Sequence, residues 1–600
     1  MSDQLLSGNI TFAGLGSGTD FNALIDGLMK VEQRRITQLE NWRKSWDDKI
    51  VQFKELNTKL LSLKTKLETM NTPGKFLVKN AASTNEASFT ATAGADAISG
   101  SYNLKVNALA KNSIWTSGAL SSATTDIVQN ASGGQLSFTI DGKTVTTSIS
   151  DGQNLNDLAN AINANAENRY KDADGVSKQY VRASVVKTQS SPEQFVLQLT
   201  SLDQGKKYEI SGITPTDLDL TFPGTATQVA DDAEIEFNGL VIKRSSNSID
   251  DIIPGVTLNL KKVDATGGTI TVAMDKEAVK EHVVDFVDAV NEVRTKLMEL
   301  TKVDNSTKEG SILTGNYGVQ IIDQRLKDII AQNGLGFQSY NSLTNLGDYY
   351  SSLSQLCILT ERDGGSINKG LLVFDEFMLS MGEHMTFDKA FDANPEAVAN
   401  LFAANRSGVT NTSDFSFISD TGLAKPGTYT VSYEGNGTGV VDNKVTINGT
   451  VYSMNPDTRE VTCDVKGNPE HGLVIRINNV AAGPHGSYPA DHFGTGSPEV
   501  PYTVSIQRGK INELIDELKA LTDPKSGPND FEAGPLAVLE ENYNDIIKSI
   551  NTKIEYEERR ITRMKNQYKQ RFARLDAMLG YYNNLSASMQ TQIISMMQQS

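Results

Sequence analysis

The two ends of this 600-residue chain are amphipathic, with apolar residues recurring in steps of three and four, and that spacing constrains the fold more than any other feature. At the N-terminal end the stripe is Ile36, Leu39, Trp42, Trp46, Ile50, Phe53, Leu56, Leu60, Leu63, Leu67 and Met70. At the C-terminal end it is Ile554, Ile561, Met564, Tyr568, Phe572, Leu575, Leu579, Tyr582, Leu585, Met589, Ile593 and Met596. Such spacing held over several turns marks the seam of a supercoiled helix pair. A helix of this kind draws its stability from the face it buries, so the two ends are expected to come together. The pattern is that of an assembly subunit, with a stalk that docks and a head that projects. Trp42 and Trp46, four residues apart on the stripe, are read as packing groups.

Between the ends the texture changes. Residues 1–19 are rich in Gly and Ser and are expected to form a disordered leader. Asp20 is a good N-cap for a helix from Phe21 to about Met70, stopped by Asn71-Thr72-Pro73-Gly74. Short alternating strands and turns follow to about Asp275, with hairpins signalled by Asp141-Gly142 and Asn238-Gly239 and a short helix at 154–165. Helical pattern returns over 276–300, 319–332, 371–379 and 396–402. A further β-rich stretch covers 411–506, where Gly427-Thr428-Tyr429-Thr430-Val431 echoes Gly100-Ser101-Tyr102-Asn103-Leu104. Helix resumes over 510–521 and from about 536 to the end. The expected fold class is multidomain α+β, a terminal coiled coil and helical bundle carrying inserted β-rich heads. The expected division is 1–19 leader, 20–42 with 546–600 coiled coil, and 43–75 with 276–410 and 507–545 bundle. Residues 76–110 with 230–275 form a first β-rich head, 111–229 a second, inserted α+β head, and 411–506 an additional β-rich insertion.

A formal charge of −17 argues against a nucleic-acid binder, which needs a basic footprint. The local exception is Arg559, Arg560, Arg563, Lys565, Lys569, Arg571 and Arg574, read as coiled-coil flanks partnered by Glu555, Glu557 and Glu558. Two cysteines, Cys357 and Cys463, exclude a disulfide framework and leave one bridge open. No apolar run approaches the roughly 20 residues that span a bilayer, so membrane insertion is not expected. The N-terminus lacks the basic and apolar regions of a Sec-type signal peptide. Cys463, His471, His485, Asp491 and His492 cluster in sequence but match no paired zinc spacing, so no metal or cofactor is expected. Gly14-Leu15-Gly16-Ser17-Gly18 lacks the preceding strand of a phosphate loop. No nucleophile elbow or triad is legible, and the chain is read as a non-enzyme.

Gly14-Leu15-Gly16-Ser17-Gly18-Thr19-Asp20-Phe21, then Leu24-Ile25-Asp26-Gly27-Leu28-Met29 and Val31-Glu32, resembles the N-terminus of the flagellar filament-cap proteins, the flagellar hook-associated protein 2 family. Ala233–Gly239, Arg244–Ile249 and Ile252–Leu260 form a longer block similar to that family. Leu155–Asn163, Phe286–Asn291, Gly370–Glu376, Leu401-Phe402 and Arg571–Met578 also resemble it, whereas 411–506 does not and reads as a lineage-specific insertion. The resemblance implies an extracellular homo-oligomeric ring of four to six subunits at the filament tip, exported without a cleaved signal peptide and promoting flagellin insertion. Implied partners are flagellin, hook–filament junction proteins and an export chaperone; a host surface is a further candidate, and an adhesin with glycan- or protein-binding β domains is the alternative. The residues expected to form the oligomer- and filament-docking seam are Ile36, Leu39, Trp42, Trp46, Ile50, Phe53, Leu56, Leu60, Leu63, Ile561, Met564, Tyr568, Phe572, Leu575, Leu579 and Tyr582. Replacing Leu60 and Leu63 with Asp is expected to abolish docking, and Arg35→Glu to do little.

Overall fold

A computed structural model describes residues 20–172, 174–303, 309–362, 369–375, 386–495, 497–524 and 534–597. The whole leader with its Gly14–Gly18 loop, and His384, lie outside these residues. Two compact units emerge, residues 73–282 and residues 1–72 with 283–600.

The first unit is β-rich. Five strands lie in the spatial order Lys79–Ser83, Asp264–Met274, Gly100–Ala108, Ala233–Phe237, Leu240–Arg244, and three more in the order Ser248–Ile253, Val256–Leu260, Phe89–Ala93. The two sheets share one apolar core that includes Phe89, Val106, Ile235, Leu258 and Ile270. The chain enters by the first of these strands and leaves by the last, which pair antiparallel (Lys79 opposite Met274). Between Ala108 and Ala233 a separate head is inserted. Its hairpin Gly134–Ile140/Lys143–Ile149 packs on the helix Leu155–Ala164, capped by Asn154 and Asp157 in a reciprocal box, around Phe138, Leu158 and Leu197.

The second unit holds the terminal helices. Phe21–Glu68 begins at Asp20, whose carboxylate accepts from Ala23 N at 3.0 Å. It runs antiparallel to Pro535–Met597: Phe21 meets Phe572, Arg43 meets Asn551 and Phe53 meets Tyr543. The helix Lys510–Thr522 packs on the first, and Tyr317–Ala331 and Pro395–Ala403 pack on Lys510–Thr522 in turn. From the helix Lys276–Thr301, Lys296 pairs with Glu55 at 2.8 Å and Asp285 with Lys66 at 2.9 Å. The helix expected over 371–379 is a strand in its described part: Leu372–Phe374 pairs with Ile358–Thr360, as β-branched and aromatic residues after Gly370 (φ +84°) favour. The β-rich segment opens at Asn405 and closes at Arg508, wider than the expected 411–506, because its outermost strands pair there beside helix ends. Cys357 and Cys463 are both buried and are not bridged to one another.

Candidate assembly interface

The antiparallel terminal pair sorts the stripe residues. Ile25, Met29 and Ile561 are buried against one another, with Ile36, Met564, Tyr568 and Phe572 packed on them, and Phe21, also buried, stacks on Phe572. Leu39 and Trp46 are half-buried, and Ile50, Phe53, Leu56, Leu60 and Leu63 are fully inside. Trp46 and Phe53 both meet the Tyr543 ring edge-on, with centroids 5.0 and 5.3 Å away. Trp42, by contrast, is 44% exposed, with Lys553 Nζ of the partner helix 5.4 Å from its ring centroid, and beside it Arg43 Nη1 donates to Asn551 Oδ1 at 3.3 Å. Phe21, Ile25, Met29 and Tyr543 belong to the packed face although the stripe did not single them out. Continuing its own three-and-four spacing backwards from Ile36 would have reached the first three.

Ion pairs flank this seam, with partners that span the whole chain. The Glu557 carboxylate, only 5% exposed, accepts from Arg35 Nε at 3.1 Å and from Arg560 Nε at 2.6 Å. Arg560 also donates to Glu32, and Lys565 pairs with Asp26 at 2.9 Å. The hydrogen bond to Glu557 leads the effects that push the Arg560 pKa upward, followed by that to Glu32. Arg35 keeps its side chain 66% exposed, as expected, and also touches the buried Glu557 carboxylate. Of the basic residues, Arg559 pairs weakly with Glu555 at 3.7 Å. Glu555 and Glu557 thus partner Arg559 and Arg560 as expected, whereas Arg563, Lys569, Arg571 and Arg574 reach no carboxylate among the described residues.

Beyond Phe572 the geometry changes. The N-terminal helix begins at Phe21, and the C-terminal helix continues to Met597, about 37 Å farther at 1.5 Å per residue. Leu575, Leu579 and Tyr582 fall on this stretch and are exposed, as are Leu585, Met589, Ile593 and Met596. They keep the spacing of a seam, and no described helix covers them. Contiguous apolar exposure of this kind marks a surface that meets another molecule.

Other candidate chemistry disperses. Cys463 lies in the core of the 405–508 module. His485 is held by Asp414 (Nδ1 to Oδ2, 2.6 Å) and by Ala481 O, and His492 stacks near Tyr488. Among the described residues no three His, Cys, Asp or Glu side chains gather as a metal site would need. A 600 Å³ cleft in the first unit is walled by Tyr170, Tyr180 and Tyr208 with Asp203 and Lys178, and no histidine or cysteine lines it.

Two family models match the chain, the flagellar hook-associated protein 2 N-terminus over residues 17–113 and its C-terminus over 230–467. Together they cover more than half of it. The second takes in the 233–260 block and continues through 411–467, which the sequence resemblance had left outside; 155–163 and 571–578 fall beyond both. Among curated relatives, the B-type flagellar hook-associated protein 2 of Pseudomonas aeruginosa is 28% identical over 439 residues, 69% of this chain and 81% of that protein. The A-type protein of the same species is 26% identical, covering 55% and 72%. Among solved structures, the D1-D2-D3 domains of the flagellar cap protein FliD from Escherichia coli align over 60% of this chain and 92% of that one, at 21% identity and a TM-score of 0.44.

Proposed function

The chain belongs to the flagellar hook-associated protein 2 family, and on that footing we propose that it caps the distal end of a bacterial flagellar filament and promotes insertion of flagellin beneath it. It acts as a homo-oligomer outside the cell, as a structural protein with no catalytic step. A cap must close, so its subunits meet through a heterologous interface whose rotation completes a ring, here taken as four to six members. No helix among the described residues is long and apolar enough to cross a membrane. The finer partners are flagellin, the hook–filament junction proteins and an export chaperone. The comparisons give no support to the adhesin alternative.

One observation carries the docking part of this reading, the apolar stripe on the C-terminal helix past Phe572. Residues Ile36 to Leu63 with Ile561 to Phe572 close the subunit on itself. Leu575, Leu579 and Tyr582, extended by Leu585, Met589 and Ile593, form the surface that meets the filament or a neighbouring subunit. Leu60 and Leu63 are buried inside the subunit, so Asp at those positions would unfold the bundle and would not isolate docking. The sharper test replaces Leu585, Met589 and Ile593 with Asp. The variant should be folded and secreted yet fail to restore filaments to cells lacking the cap; filaments of normal length would refute the docking surface.

A further inference from the structure

We infer that residues 405–508 are a second copy of the first head's β frame, so that each subunit carries the same fold twice. The first frame has eight strands outside its insertion, and so does the module when its short strands between 483 and 501 are set aside. In the module, five strands lie in the order Asn405–Thr410, Thr503–Arg508, Gly427–Gly435, Val440–Ile447, Thr450–Ser453. Three more lie in the order Glu460–Thr462, Leu473–Ile477, Phe415–Asp420. Numbered along the chain, both frames read first–eighth–third–fourth–fifth and sixth–seventh–second.

The correspondence holds residue by residue. Tyr102 pairs with Ile270 four residues before the frame's last pairing, and Tyr429 pairs with Val504 four residues before Arg508. Each tyrosine hydroxyl donates to the carbonyl four residues back, Ile98 in one frame and Lys425 in the other. Two residues on, Leu104 faces Phe237 and Val431 faces Ile447. Next come Asn238-Gly239 and Asn448-Gly449, both with positive φ at each residue, as a tight hairpin demands. Asn238 N donates to Asn103 O and Asn448 N to Thr430 O, each at 2.9 Å, onto the residue after the tyrosine. In the smaller sheets Phe89 faces Leu260 and Phe415 faces Ile477, and both phenylalanines are buried. Leu260 N and Ile477 N return to Asn247 O and Arg459 O. Gly255 (φ +71°) and Gly472 (φ +97°) start the seventh strands and accept from the residue after the second. Identical residues at the hairpin, the tyrosine and the turn glycine, in one register, are not expected of two unrelated sandwiches. The five-residue echo at Gly100 and Gly427 is its visible trace in sequence.

The frames also differ in what they carry. The first accepts its inserted head between the third and fourth strands, and the second accepts 478–502 between the seventh and eighth. In each frame the third strand ends where the eighth begins, so both additions leave from the end opposite the chain's entry. In the second head that end carries Tyr488, packed 4.8–4.9 Å from His492, Phe493 and Tyr502. This inference does not depend on the cap reading.

The test exchanges links between equivalent pairs in the full chain. Val106 opposite Ile235 corresponds to Tyr433 opposite Val445. One chimera replaces 107–234 with 434–444, and the other makes the reverse exchange. Amide exchange followed by mass spectrometry should show frame strands protected to within about tenfold of the parent in both. Loss of protection across the frame strands of both chimeras, with the terminal helices still protected, would overturn the equivalence.

Discussion

Tyr543 is the point where three helices meet, and truncating it in steps should separate the forces that hold them. Its ring takes the edges of Trp46 and Phe53, and its hydroxyl hydrogen-bonds with Asn316 Nδ2 at 2.5 Å. It is 8% exposed. Tyr543→Phe removes one hydrogen bond whose partner can turn to water, for a cost of about 1 kcal/mol. Tyr543→Leu keeps most of the apolar bulk but loses two aromatic pairs, each worth about 0.5–1.5 kcal/mol, so it should cost about 1–3 kcal/mol more. Tyr543→Ala opens a cavity, and by analogy with buried aromatic truncations should cost about 3–5 kcal/mol in all. Urea unfolding followed by tryptophan fluorescence suits the series, because Trp46 lies against the mutated ring. The expected order is Phe mildest, Leu intermediate, Ala worst. If Phe cost as much as Ala, the hydrogen bond rather than the aromatic packing would hold the junction, and this account would fail.

Three further outcomes follow from the same structure. Asn512, buried, donates from one amide nitrogen to Asn71 O, Ala403 O and Ala404 O at 2.8–3.1 Å, so Asn512→Ala should cost about 1–3 kcal/mol in denaturant unfolding. Burial pushes the Cys463 thiol and the Tyr429 and Tyr452 hydroxyls up to about 12. Because these acids hold their protons better folded than unfolded, stability is full below the ordinary values of about 8.5 and 10 and falls as pH rises towards 12. Hydrogen exchange should therefore show 405–508 loosening from about pH 9 upward, and an unchanged module at pH 11 would contradict this. Arg35→Glu sets a carboxylate against Glu557 and should lower the melting point of the terminal helices at low salt, with the loss shrinking in about 1 M salt.

The stripes at Ile36–Leu63 and Ile561–Phe572 were legible because helical period and apolar spacing are local. Which helix meets which residue was not. Trp42 fits the stripe by spacing, yet it stays 44% exposed and meets the partner helix at the charged Lys553 rather than at an apolar residue. The hairpins at Asn238-Gly239 and Asp141-Gly142 announced themselves through residues that tolerate positive φ. The short strand at Leu372 reads as helix in the sequence because an apolar run of that length has no decisive period. Lys510 and Glu513 were invisible as core residues, since nothing in a sequence marks a charged pair for burial. Their depth drives the lysine pKa down and the glutamate pKa up. Glu557 shows the same limit at the interface, being an ordinary surface residue by type and a buried acceptor in fact.

The pairing of Phe21 with Phe572 also fixes an order of events. A ribosome delivers the N-terminus first, so the opening helix must wait for nearly the whole polypeptide before its partner exists. The contacts Glu32–Arg560 and Asp26–Lys565 close loops of 528 and 539 residues, at the slow extreme of any contact-order scale. Each β head, whose first and last strands are neighbours, can finish on its own clock meanwhile. The stalk is therefore the last part of the subunit to form and, having the most distant contacts to recover, the first that local fraying at the termini can undo.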